Sequence, residues 1–142
     1  MNDCKTVFCT AVGLIGGAVA AAFGGWNAAM MTLIALMAVD YLTGLMVAGI
    51  FHKSPKSESG ALESKAGWKG LCRKGVTPLV VLVAAQLDRA IGTGFIRDAA
   101  VIGYIANETL SIIENAGLMG VPVPNAVKKG IELLKKKEDE DA

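Results

Sequence analysis

Val7 to Gly25 runs for 19 residues without a charge, and Ala28 to Phe51 continues for 24 with Asp40 as its one charged side chain. A helix rising 1.5 Å per residue needs about 20 residues to cross a hydrocarbon core of roughly 30 Å, so each run is long enough to span a bilayer. Two such runs in 142 residues leave little room for a water-soluble domain. Composition agrees: 53% of the residues are hydrophobic and the mean hydropathy is +0.48. A soluble domain carries about 25% charged residues spread over its surface. Here the share is 19%, and most of it falls between Lys53 and Lys74, Asp88 and Asp98, and Lys128 and Asp141.

Two further stretches are candidate spans. Val76 to Ile96 is strongly apolar through Leu79-Val80-Val81-Leu82-Val83, then interrupted by Asp88 and Arg89 and weakened by Gly92-Thr93-Gly94. Arg97-Asp98 reads as a polar break. Ala99 to Val121 follows, carrying Asn107, Glu108, Ser111, Glu114 and Asn115, and Pro122 and Pro124 end it. Within residues 125–137, Val127, Ile131 and Leu134 recur at helical spacing among Lys128, Lys129 and Lys135, the pattern of an amphipathic helix lying in the membrane interface. Residues 138–142 are expected to form a solvated, disordered acidic tail. The expected fold is an all-α integral membrane protein of three to four transmembrane helices, forming a single domain over residues 1–142, with spans at 7–25, 28–51, 76–96 and 99–121.

In the first span Gly13, Gly17, Ala21 and Gly25 fall four residues apart, and Gly16, Ala20 and Gly24 form a second row. Rows of small residues let helix backbones approach closely, so these are candidate helix-packing positions, as is Gly44 in the second span. Two other readings stay open. The stretch could be a signal peptide cut near Ala20-Ala21-Ala22, although Lys5 is offset by Asp3; or its weak hydrophobicity could let it insert marginally. Gly24-Gly25-Trp26-Asn27 reads as a tight turn with Trp26 suited to an interface.

The segment from Lys53 to Gly75 is a polar loop with a short interfacial helix expected around Ala66 to Cys72. It holds Lys53, Lys56, Lys65, Lys69, Arg73 and Lys74 against Glu58 and Glu63. Without an aromatic stacking platform these cations signal topology rather than nucleic acid. The basic loop, with Lys69, Arg73 and Lys74, and the helix carrying Lys128 and Lys129 should face the cytoplasm, which puts both termini inside if all four stretches cross. Cys4, Cys9 and Cys72 match no metal-ligand spacing, and His52 beside Lys53 suits a solvated or headgroup-level position.

No nucleophile-and-base set and no phosphate loop is evident, so an enzyme is not expected. The ionisable groups inside apolar segments are the functional candidates. Asp40 facing lipid would cost on the order of 3 kcal/mol, so it must meet protein or water. It either pairs internally, with Arg73, Lys74 or Arg89 or with a neighbour such as Thr43, or lines a pore. Asp88 with Arg89, and Arg97 with Asp98, read as interfacial ion pairs. Asn107, Ser111, Glu114 and Asn115, with Glu108 beside them, share one helical stripe that could be buried in a bundle or could line water in an oligomer.

Three blocks carry a family resemblance: Asp40-Tyr41-Leu42-Thr43-Gly44, Lys69-Gly70-Leu71-Cys72-Arg73-Lys74, and Asn107 to Gly117 followed by Gly120-Val121-Pro122-Val123-Pro124. In their order and spacing they resemble the toxin-secretion and phage-lysis holin family (holin family 4), over about residues 28 to 136. The Gly/Ala-rich first span is not part of the shared blocks. The resemblance implies a homo-oligomeric lesion in the bacterial cytoplasmic membrane, with the lipid bilayer and further copies of the chain as partners, an endolysin or large toxin as cargo, and no cofactor. A non-lytic small channel, a secretion accessory subunit and an antagonist of a holin remain alternatives, because each can be built from the same spans.

Overall fold

The computed structural model describes residues 2–141, and among them every regular element is an α-helix: α1 (Asn2–Ala22), α2 (Ala28–Gly49), α3 (Ser64–Ile91), α4 (Phe95–Leu118) and α5 (Asn125–Asp141). Three of these, α1, α2 and α3, are long and apolar enough to cross a membrane. α4 has the length, but its polar stripe and four charged side chains dilute its apolar character.

The helix ends follow from local chemistry. Phe23 to Asn27 turns the chain, with Gly24 and Gly25 at φ of 78° and 99°, a left-handed region that a side chain would strain. The Asn27 side chain then caps α2 by accepting from the Met30 backbone N–H at 3.0 Å. Ile91 ends α3 because Gly92 takes the left-handed conformation, and its N–H returns to the Asp88 carbonyl. Met119 to Pro124 separates α4 from α5, with Gly120 at φ 77° and two prolines that cannot continue the helix.

Two boundaries depart from expectation. α3 begins at Ser64 and absorbs both the short helix foreseen at 66–72 and the apolar stretch from Val76, passing Gly67, Gly70, Gly75 and Pro78 without a break. Glycine and proline lower intrinsic helicity, but Lys74 is anchored across to two other helices and holds the segment in register. The polar break lies at Gly92 to Gly94 rather than at Arg97-Asp98, so residues 92–96 do not extend the third span and α4 starts four residues earlier than Ala99. α5 also continues through Lys137 to Asp141, so the acidic segment is helical as far as it is described and Ala142 lies outside the described residues. Pairs four apart, such as Glu132 with Lys136 and Lys137 with Asp141, favour that extension.

Contacts at both ends fix the helix directions. Arg97, early in α4, reaches Gly24 and Gly25 just before α2, while Asn115, late in α4, reaches Asp40 and Thr43 further along α2. α2 and α4 therefore run side by side in the same direction. α3 runs oppositely, with Lys74 at the Asp40 level and Arg89 back at Ala21. α5 turns back along α4 until Glu138 lies against Gly103. The core of Met30, Leu33, Met37, Val81, Val101 and Ile105 joins α2, α3 and α4, with Phe23, Tyr104 and Leu134 against it. α1 contributes no buried residue.

Candidate functional site

Three helices, α2, α3 and α4, each bring one ionic side chain to a common point. The Lys74 ammonium of α3 donates to Asp40 of α2 at 2.5 Å and to Glu108 of α4 at 2.6 Å. Both acidic residues are buried, and Lys74 is largely covered. One cation thus serves two carboxylates, leaving a formal surplus of one negative charge when all three are ionised. Charge-assisted bonds of this length are the strong class, and a low-dielectric setting strengthens them further.

Asn115 closes the site from below. Its side-chain amide donates to the Asp40 carboxylate at 3.1 Å and to the Thr43 hydroxyl at 2.9 Å. Gly44 lies opposite, where an added Cβ would sit 3.8 Å from that amide. Thr43 donates back to the carbonyls of Val39 and Asp40, so the Asp40 level of α2 is held on several sides.

Beside this cluster lies a half-open cavity of about 580 Å³ under the 50–63 loop, lined in part by Asp40, Lys69, Arg73, Asn107, Ser111 and Glu114. The stripe on α4 therefore divides. Glu108 and Asn115 are buried in the bundle, Ser111 is half-buried, and Asn107 and Glu114 are exposed at the cavity rim. The loop above is clipped shut: the Ser54 N–H donates to the Gly60 carbonyl at 2.9 Å and the Lys53 N–H to Val47 at 3.0 Å. Gly60, at φ 74°, lies too close to the His52 carbonyl to accept a Cβ.

The other sequence-derived positions are dispersed. Gly13, Gly16 and Gly17 have nothing within 4 Å of an added Cβ, so both small-residue rows are open at these positions. Gly25 is not on that helix face, because α1 ends at Ala22 and Gly25 belongs to the turn. Lys128 and Lys129 are exposed on α5.

The expected ion pairs of Asp88 with Arg89 and of Arg97 with Asp98 do not form; Asp88, Arg89 and Arg97 instead satisfy backbone groups, and Asp98 is exposed. The Asp88 carboxylate accepts from the backbone N–H groups of Ile96 and Arg97 and from the Thr93 hydroxyl, capping α4 from the preceding helix. The Arg97 guanidinium donates to the carbonyls of Gly24 and Gly25 at 3.2 and 2.8 Å, Arg89 to Ala21 at 2.8 Å, and Gln86 to Ala22 at 2.7 Å. Two cations at the carbonyl end of α1 also oppose the negative end of its dipole. Sequence reasoning missed this clamp; the available signal was a glycine pair ending one apolar run and arginines flanking the Gly-Thr-Gly break of another.

Comparison with known proteins finds similarity along most of the chain. A family model described as the bacteriophage holin family matches residues 17–136. A Clostridium perfringens chain described as an uncharacterised 14.9 kDa protein in the nagH 3' region is 37% identical over 82% of this chain and 83% of its own length. A Bacillus subtilis protein, YtkC, is 32% identical over 81% of each chain. A probable holin of Bacillus phage phi105 is 32% identical over 76% of this chain and 75% of its own. No solved structure matches. With three helices able to span and a family match across most of its length, the chain is a membrane protein that belongs to the bacteriophage holin family.

Proposed function

We propose that the protein is a holin that self-associates in the bacterial cytoplasmic membrane and opens a lesion large enough to pass a folded protein, an endolysin or a large toxin. The observation that carries this reading is α1. It is uncharged from Val7 onward, it buries nothing within the protomer, and its glycine row is open. Helices in lipid associate through such close-packing faces, so a span left without an internal partner fits a chain completed by further copies of itself. Cytoplasmic termini and a cytoplasmic 50–63 loop follow from the cations around them.

The test is expression of the chain alone in a bacterium, following membrane potential together with escape of a folded cytoplasmic reporter enzyme. Abrupt depolarisation with reporter escape is the expected result. Depolarisation without escape would reduce the lesion to ion size, and the absence of both would favour an antagonist or an accessory subunit.

A further inference from the structure

The pose of α5 is at odds with a lipid environment. α4 shares its depth with the spanning helices, since it meets the start of α2 through Arg97 and the Asp40 level through Asn115. α5 then climbs back along α4, with Leu134 against the apolar core and Glu138 beside Gly103. That places Lys135-Lys136-Lys137-Glu138-Asp139-Glu140-Asp141 alongside the first half of α4, level with Val101 and the core of α2 and α3. Seven consecutive charged residues cannot face acyl chains at that depth, and Lys135, Lys136 and Lys137 point away from the protomer as exposed side chains. With 17 residues, α5 is about 26 Å long, close to the thickness of the hydrocarbon core.

We infer that docked α5 forms part of the wall of a water-filled lesion, and that it occupies this position only once neighbouring copies have placed water beside α4. In the dispersed protomer the segment from Met119 to Pro124 lets the same helix lie on the cytoplasmic surface. This rests on the lesion reading above and adds to it which helix meets the water.

The test uses the full chain with Cys4, Cys9 and Cys72 changed to serine and the pair Gly103→Cys and Glu138→Cys introduced, an oxidant being added at intervals after induction. Disulfide formation between the two positions should rise at least about fivefold as the reporter escapes, because docking and opening are one population shift. Equal cross-linking before and after escape, or none in cells that have released the reporter, overturns the inference while leaving the lesion reading intact. Failure of the unmodified chain to release reporter at any expression level defeats the lesion reading, and the inference with it. Independently, Lys135→Glu with Lys136→Glu should shift the cation-to-anion selectivity of the conductance in planar bilayers severalfold toward cations; unchanged selectivity in a conducting variant overturns the inference.

Discussion

Lys74 stands where removing one side chain leaves two buried carboxylates facing each other. Lys74→Met should therefore lower protomer stability by about 3 to 5 kcal/mol, the range for breaking a buried ion pair from one side. Adding Asp40→Asn and Glu108→Gln should recover most of that loss, and unfolding in detergent micelles followed by circular dichroism measures both. The carboxylates were legible as costly intramembrane groups, and Lys74 was one of three cations set against Asp40. Its simultaneous hold on Glu108 was not, because nothing local to residues 74 and 108 sets the register between α3 and α4. Gly60 makes a second residue-scale case. Gly60→Ala forces a Cβ into the His52 carbonyl at a left-handed backbone position, a strain of about 1 to 3 kcal/mol. It should open the 50–63 loop and speed proteolysis at Lys53 and Lys56 without unfolding the bundle.

Among the elements, α1 separates protomer stability from assembly. Gly17→Leu places its side chain in open space, and leucine improves helix propensity by up to about 1 kcal/mol. The variant protomer should be no less stable in micelles, yet reporter escape should be delayed or abolished at equal expression; unchanged timing would remove this face from the assembly. Apolar run length gave the existence of α1, α2 and the membrane half of α3 directly. Their ends were less accessible, since Gly67, Gly70 and Pro78 argue locally against a helix that long-range anchoring at Lys74 maintains. Likewise Arg97-Asp98 looked like a break because two charges interrupt an apolar pattern, whereas Asp88 reaches across the Gly92 turn and makes that point the start of α4.

For the molecule as a whole, the proposed reading has α1 to α4 cross in turn and return the chain to its starting side, with the Gly92 turn at the opposite face. Before permeabilisation, a membrane-impermeant maleimide added to cells with an opened outer membrane should leave Cys4 and Cys72 unmodified and label Thr93→Cys in a cysteine-free chain. Labelling of Cys4 from outside would move the N-terminus across the bilayer and require α1 to be absent from it. Membrane class was readable from sequence because lipid imposes length and polarity on every segment, whereas the helix foreseen at 66–72 merged into α3. The return of α5 along α4 was not readable, because its spacing and charges equally suit an interfacial helix.

The carbonyl clamp on α1 also bears on symmetry. Arg89, Arg97 and Gln86 grip one end of that helix and leave the rest without internal contacts, so its tilt is set at a single pivot. If the face of α1 met the same face on a neighbour, the contact would be self-complementary and assembly would stop at two. If it meets a different surface, every copy carries both halves of the joint and addition continues, closing into a ring or winding onward as the pivot angle dictates. An opening wide enough for a folded enzyme requires the second geometry. On the lesion reading, the angle at which two arginines and Gln86 hold four carbonyls then sets the circumference.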